Sequence, residues 1–398
     1  EPVNSQVGGP SSMPRSPGTG TALASGFAFS AALYSDVILG AIGVNAPEGA
    51  AAGILVALAG LAGVIVLALR GPRAALERVL PTWPIVTFLA WCALTLAWSP
   101  DPSYGWEKLF FAVAKVSAFG VLVLGALGPG RSYDLRPVLW CGLAAALLVI
   151  LAGAPSFDYP GRWTFGAMNP IWTGRIGWTL CLAAMVVPGG RIPARSIFLL
   201  AGGAVGMMSA SRGPAIAFLV ALGLWWLFLN DGLSRARNRV LARALRAGGC
   251  VLGLIAVLLI GAGEAPTENR IVAFEEIGMD ANVLARLDLQ RSALTEFARQ
   301  PVLGTGLGGL AVGNSQRYPH NILIEIVAET GVVGLLLVLW AGVLVWRRAG
   351  GREDLAALWL YLLLCATSSG DLSGNWLLWL LAGVLLVRPV ETRLVRAP

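Results

Sequence analysis

Apolar runs long enough to cross a bilayer dominate this chain, and a backbone in lipid must satisfy its own amides and carbonyls, which leaves helix as the form such runs take. Stretches of about 17–25 mostly apolar residues suggest twelve helices, near 22–44, 51–69, 83–98, 109–128, 137–153, 169–188, 196–210, 213–229, 247–262, 319–346, 354–368 and 375–387. Of the 398 residues only 13% are charged and 56% are hydrophobic, whereas a soluble domain carries roughly 25% charge. The pattern predicts an all-α integral membrane protein and excludes soluble classes.

Four regions follow: a flexible Ser/Pro/Gly-rich segment at 1–20, helices one to nine at 21–262, a long loop at 263–318, and helices ten to twelve with a tail at 319–398. The residues before Met13 are expected to be a processing product or a fusion remnant. The cysteines Cys92, Cys141, Cys181, Cys250 and Cys365 fall one per apolar stretch without metal-ligand spacing, so they read as small core residues.

Basic residues set the orientation. With the N-terminus in the cytoplasm, the cytoplasmic side collects Arg15, Arg70, Arg73, Arg78, Arg131, Arg136, Arg191, Arg195, the cluster Arg235–Arg246, Arg347, Arg348, Arg352, Arg388, Arg393 and Arg396. Such an excess is what cytoplasmic loops carry, and both termini are then inside. The Arg235–Arg246 cluster reads as this topology signal with attraction to anionic headgroups, not as a nucleic-acid site.

Arginines left on the outer side call for another reason: Arg162, Arg175, Arg212, Arg270, Arg286, Arg291, Arg299 and Arg317. Arg175 lies about one and a half turns inside an apolar helix, and Arg212 sits in a tight connection between two others. A charge at such depth costs at least about 2.5–3.5 kcal/mol and ordinarily faces a cavity or a partner. Forked guanidinium donors fit phosphate oxygens, so a group of them predicts a pyrophosphate site; pairing with a buried carboxylate is the alternative.

The single histidine, His320, lies at the mouth of an apolar stretch in Tyr318-Pro319-His320-Asn321. Imidazole is the side chain whose ordinary pKa lets it exchange a proton near neutral pH, so His320 is the first candidate for chemistry. Glu325 and Glu329 follow on the same helix. His320 and Glu325 are about 140° apart around it, which argues against direct pairing and favours structural roles for both glutamates.

Residues 281–299 repeat apolar positions at three- and four-residue spacing, which predicts an amphipathic helix on the outer face. Pro301-Val-Leu-Gly-Thr-Gly-Leu-Gly-Gly309 contains a formal GxGxxG, but no strand precedes it. It reads as a flexible glycine-rich hinge, not a dinucleotide site. Trp83, Trp98, Tyr104, Trp106, Trp163, Trp172 and Trp178 read mainly as interfacial anchors, with Trp163 and Trp172 also placed to stack on sugars.

Gly161-Arg162-Trp-Thr-Phe-Gly166-Ala-Met-Asn169-Pro170, Ser211-Arg212-Gly213, Phe297-Ala-Arg-Gln-Pro301-Val-Leu-Gly304-Thr-Gly306-Leu-Gly308, and His320-Asn321 with nine residues to Gly331-Val-Val-Gly334 occur in this order. In them the chain resembles the O-antigen ligase and polymerase superfamily, closest to the lipopolysaccharide O-antigen ligase branch, over roughly residues 80–385. Ile171 departs from the second asparagine common after the Asn-Pro pair.

The resemblance implies a GT-C-like architecture in the bacterial inner membrane with a periplasmic site, and an inverting transfer of glycan from undecaprenyl pyrophosphate to a lipid A-core hydroxyl. His320 would be the general base, with Arg175 and Arg212 stabilising the leaving pyrophosphate. Arg162, Asn169, Arg286, Arg291, Tyr318 and Asn321 would bind substrate. No cofactor is implied, and arginine in place of Mg²⁺ implies metal independence. A polymerase with a lipid-linked acceptor, or a protein O-oligosaccharyltransferase, shares the donor chemistry. A transporter would more often show repeated halves, and none are evident.

Overall fold

The computed structural model describes residues 19–41, 50–127, 133–159, 161–166, 168–188, 192–229, 281–312, 317–350 and 352–387. Among them the N-terminal half holds α1 (Thr19–Leu33), α2 (Ser35–Ala41), α3 (Ala50–Leu69), α4 (Pro72–Val79), α5 (Trp83–Thr95), α6 (Pro102–Ala126) and α7 (Arg136–Ala152). A two-stranded hairpin, β1 (Ala154–Pro155) with antiparallel β2 (Trp163–Thr164), precedes α8 (Pro170–Val186), α9 (Ile192–Met208) and α10 (Arg212–Leu224). The amphipathic segment is α11 (Ala281–Arg299), followed by α12 (Ile322–Arg348), α13 (Glu353–Ala366) and α14 (Trp376–Leu386).

Every expected apolar span except the ninth, 247–262, coincides with helix; that span, Cys250 and the Arg235–Arg246 cluster lie outside the described residues. Among the described residues, three helical stretches are long and apolar enough to cross a membrane: Pro72–Trp98, Pro102–Ala126 and Ile322–Arg348. Shorter apolar helices pack around them, and the chain is a multi-pass membrane protein. The first expected span is divided at Tyr34, whose buried hydroxyl donates to Val138 O at 3.3 Å.

Small residues let the helices approach closely, as lipid-embedded packing favours. On α8 and α9, a Cβ at Gly177 would lie 2.5 Å from Gly202 O and from Gly206 N. Several tryptophans pack at helix junctions: Trp178 stacks on Phe218 at 5.0 Å, Trp83 meets Trp340 at 4.3 Å, and Trp98 Nε1 donates to Gly304 O at 3.2 Å. The described cysteines are unpaired, and Cys92, Cys181 and Cys365 are buried.

One end of the bundle is closed by arginines on helix C-termini, where carbonyls lack intrahelical donors and the dipole is negative. Arg78 donates to Leu127 O (3.3 Å), Arg195 to Val187 O (3.2 Å), Arg348 to Leu386 O (2.8 Å), and Arg352 to Val387 O (2.8 Å) and Val384 O (3.0 Å). These residues were singled out by topology alone, yet they also cap.

At the other end, α12 is broken. Gly331 adopts φ 68°, ψ −170°, a region open essentially only to glycine. The glycine-rich segment 301–309 supplies the missing bonds. Ala328 O accepts from Thr305 N (2.9 Å) and Glu329 O from Gly306 N (2.9 Å), while Val332 N donates to Pro301 O (2.9 Å) and Val333 N to Val302 O (3.4 Å). Trp91 Nε1 takes Thr330 O at 3.0 Å. The expected flexible hinge is therefore corrected to a packed wedge, because the broken helix offers the amides and carbonyls that its backbone needs.

Beside the break, Lys108 of α6 donates to Glu325 Oε1 (2.6 Å) and to Glu329 Oε1 and Oε2 (both 2.9 Å), and all three side chains are at most 1% exposed. The structural reading of both glutamates thus has its partner.

A methyl group at Gly331 would meet Val302 O at 2.1 Å. Gly331→Ala is expected to destabilise by the clash in addition to about 1–3 kcal/mol of backbone strain, read as a lower melting temperature in detergent. Gly342→Ala, with nothing within 4 Å of the added carbon, is the control and should melt like the parent.

Candidate active site

The α13–α14 connection, Ser368-Ser369-Gly370-Asp371-Leu372-Ser373-Gly374-Asn375, organises the end opposite the arginine caps. Asp371 shapes it: its Oδ1 accepts from Gly374 N (2.7 Å) and from Ser373 Oγ (2.9 Å), local side-chain bonds of the kind that favour short polar residues in turns. Asn375 Nδ2 closes the turn on Asp371 O (2.9 Å) and Ser369 O (3.1 Å). Gly370 has φ 76°.

Two consecutive carbonyls of this turn receive guanidiniums from different helices. Arg286, on α11, donates to Ser368 O at 3.1 Å. Arg175, on α8, donates to Ser369 O and Cys365 O, both at 3.0 Å, and to Asn375 Oδ1 at 3.0 Å. Its plane lies 4.2 Å from the Trp172 ring centroid, so that ring face is covered by the arginine rather than open to a sugar. These carbonyl and amide oxygens fix both guanidiniums against the turn.

Arg175 is 6% exposed, and the cavity it shares with Asp36, Trp172, Thr179 and Asn375 measures about 30 Å³, room for about two waters. It sits beneath the mouth, and a pyrophosphate does not fit there in this conformation. Arg212 starts α10 beside the same turn: a Cβ on the next residue, Gly213, would lie 2.9 Å from Ser368 Oγ.

His320 reaches the mouth from the start of α12. Its φ of 56° is left-handed, uncommon outside glycine, and its ring lies 4.6 Å from that of Tyr318. Burial first, then the positive charge of Arg286, push the imidazole from the ordinary 6.5 down to about 4, with Asp371 opposing. His320 is therefore neutral at physiological pH. Burial pushes the Tyr318 hydroxyl up to about 12, so it remains a protonated phenol.

The two asparagines act locally. Asn321 Oδ1 accepts from Leu323 N (3.1 Å) and Ile324 N (3.3 Å), capping α12, and Asn169 Oδ1 accepts from Ile171 N (2.9 Å), capping α8 ahead of Pro170. Asn169 Nδ2 also reaches Tyr159 Oη at 3.4 Å, and the same tyrosine ring carries Arg162 at 5.5 Å.

Arg291 stands apart: it is exposed and pairs with Asp288 at 3.4 Å. Arg299 pairs with Glu296, Arg317 lies 5.0 Å over the Tyr104 ring, and Arg270 is outside the described residues. The structure gathers Arg175, Arg286, the start of α10 and His320 around one turn, and leaves Arg291 outside.

Sequence reasoning passed over Lys108, Asp371 and the turn. Lys108 stands one residue ahead of the expected span 109–128, where a lysine reads as a boundary residue; only the extension of α6 back to Pro102 puts it inside the bundle. Its partners lie 217 and 221 residues away, a pairing that spacing along one helix cannot reveal.

A polytopic membrane protein with its histidine, Asp371 and several arginines gathered around one turn at an end of an apolar bundle is the class these features define. Residues 197–339 match the family model described as O-antigen ligase, and this supports membership of the O-antigen ligase superfamily. The matched stretch contains Arg212, Arg286, His320, Glu325 and Glu329. No curated protein matches the chain.

Removing the Lys108 ammonium leaves two buried carboxylates without their cation. Lys108→Met is expected to destabilise by about 3–5 kcal/mol, while Lys108→Met/Glu325→Gln/Glu329→Gln recovers most of that loss. Chemical or thermal unfolding in detergent micelles compares the two; equal melting of parent and single variant would remove the cluster from its structural role.

Proposed function

We propose that the protein is an O-antigen ligase, transferring a glycan from undecaprenyl pyrophosphate to a sugar hydroxyl of lipid A-core at the periplasmic face of the bacterial inner membrane. The observation that carries this reading is a neutral histidine at the mouth of the bundle, beside Arg286 and within the matched stretch. The arginine-capped opposite end supports a cytoplasmic placement for that side.

In the reaction, the acceptor oxygen attacks the anomeric carbon as His320 takes its proton. The bond from that carbon to the pyrophosphate oxygen breaks, and the electron pair leaves with undecaprenyl pyrophosphate. In-line displacement inverts the anomeric centre. Arg286 and Arg212 face the pyrophosphate, with Arg162 at the hairpin as a further contact. Arg175 supports them from below through the turn.

Donor binding would also change the base. A pyrophosphate beside Arg286 offsets the charge that disfavours imidazolium, so His320 becomes a stronger base when the donor is bound. Neutral imidazole is the form that accepts a proton, and with its pKa pushed down to about 4 it prevails at physiological pH.

The test is transfer by purified protein from undecaprenyl-pyrophosphate-linked glycan to lipid A-core in EDTA. Product should form without added metal, and His320→Ala should lower kcat by about 10²–10⁴-fold while the protein stays folded. Product only with a lipid-linked glycan acceptor would instead make the chain a polymerase. Wild-type transport of lipid-linked glycan that survives His320→Ala, with no transfer, would make it a transporter.

The pH profile carries a second expectation. Because positive charge at Arg286 lowers the His320 pKa, Arg286→Ala should move the acid limb of kcat/KM upward from about 4. The limb should stay below 6.5, since burial is the larger cause. An unmoved limb would separate Arg286 from the base.

A further inference from the structure

Glu325 makes two kinds of bond with one oxygen. Its Oε1 accepts from Lys108 Nζ at 2.6 Å and from the backbone amide of Leu372 at 3.3 Å. The first contact ties α12 to α6; the second ties α12 to the turn whose carbonyls hold Arg175 and Arg286. The other oxygen, Oε2, is buried with no hydrogen-bond partner. The side chain is thus fixed by a single atom, and that atom faces the turn.

Glu329 already supplies Lys108 with a carboxylate, through both of its oxygens at 2.9 Å. Charge balance between one ammonium and one carboxylate does not require a second acid. A leucine or glutamine at 325 would leave a neutral pair, whereas the native residue adds a second buried ionisable group, which low dielectric penalises. What Glu325 does that Glu329 does not is bind the Leu372 amide.

We propose that Glu325 is a positioning residue of the transfer reaction, acting through the Leu372 amide to fix the turn that carries Arg175 and Arg286. This inference rests on the glycan-transfer reading. The route runs from Lys108 to Glu325 Oε1, to Leu372 N, and along the turn to Ser368 O and Ser369 O. The first two links are hydrogen bonds among buried groups, and the rest is the backbone of the turn, ending at the carbonyls of buried Ser369 and half-buried Ser368. Slack at Leu372 shifts the two guanidiniums relative to His320, which stands five residues before Glu325 at the mouth of the same helix. Displacements of about 1 Å at a reacting centre cost about 10²-fold in rate, and they act on the transition state more than on ground-state binding.

Two variants separate position from fold and from acidity. Glu325→Gln keeps an oxygen for Lys108 and Leu372, with its amide nitrogen in the place of the unpartnered Oε2. Glu325→Leu keeps the balanced Lys108–Glu329 pair but offers Leu372 no acceptor. Each is purified in detergent, assayed for kcat and donor KM, and followed by hydrogen exchange of the peptide covering 370–375.

Glu325→Gln should retain kcat within about threefold of wild type, and Glu325→Leu should lose about tenfold or more in kcat with donor KM within about threefold. Amide exchange in the turn should speed up in Glu325→Leu alone. Wild-type kcat in Glu325→Leu, unchanged exchange there, or a folded Glu325→Gln as impaired as the leucine variant would each overturn the inference. The last outcome would mean that the acid itself is needed.

A wild-type protein that transfers no glycan from any polyprenyl donor defeats the transfer reading on its own. Exchange and the affinity for inorganic pyrophosphate then decide whether Glu325 holds the turn. Glu325→Leu should weaken that affinity by about fivefold or more and Glu325→Gln should not; equal affinity in all three proteins overturns the positioning claim as well.

Discussion

The buried contact of Lys108 with Glu325 and Glu329 is the constraint around which the site end of the bundle is arranged. Three ionisable groups in an apolar interior are costly, and their attraction repays the cost only when geometry and hydrogen bonding are good. Here all three ammonium hydrogens have carboxylate acceptors. The contact crosses from α6 to the first half of α12, directly ahead of the break at Gly331. It therefore fixes the half-helix that presents His320, while the wedge at 301–309 fixes the break from the other side. Neither half of α12 could end where it does without a partner for its loose amides and carbonyls.

Arginine does related work at both ends of the molecule with different consequences. At one end Arg78, Arg195, Arg348 and Arg352 meet the final carbonyls of α6, α8 and α14, completing helices whose termini would otherwise lie bare. At the other, Arg175 reaches Cys365 O in the last turn of α13 and Ser369 O just beyond it. A helix C-terminus thus holds a cation at the end of the bundle opposite the arginine caps. Arg286 extends the same arrangement by one carbonyl. A cap alone would explain Arg175, which is deeply buried; the addition of Arg286, Arg212 and His320 around one turn is what points beyond capping.

Apolar length made the helices legible, because the bilayer imposes a size that composition can report. The Asn169-Pro170 start of α8 was legible as well, since the cap needs a short polar acceptor and a residue that can forgo its amide. The glycine-rich segment was misjudged for a physical reason. Glycines at 304, 306 and 308 announce positive φ, but not whether the backbone that adopts it is free or bonded. The deciding partner was a helix break hidden within an apolar run, where Gly331 looks like any other small membrane residue. The Ser368–Asn375 turn was equally concealed, for its serines, glycines and Asp371 are the ordinary composition of a connection. Its importance comes from carbonyls, which every residue has and no sequence distinguishes.

Under the glycan-transfer reading, the position of His320 addresses a problem shared by enzymes that handle activated sugars beside water. A strong base in an open mouth would activate any hydroxyl that arrived, including that of water. Burial and the charge of Arg286 hold the imidazole neutral but weakly basic. An anionic donor placed against the same arginine offsets that repulsion, and basicity rises only when there is a glycan to transfer.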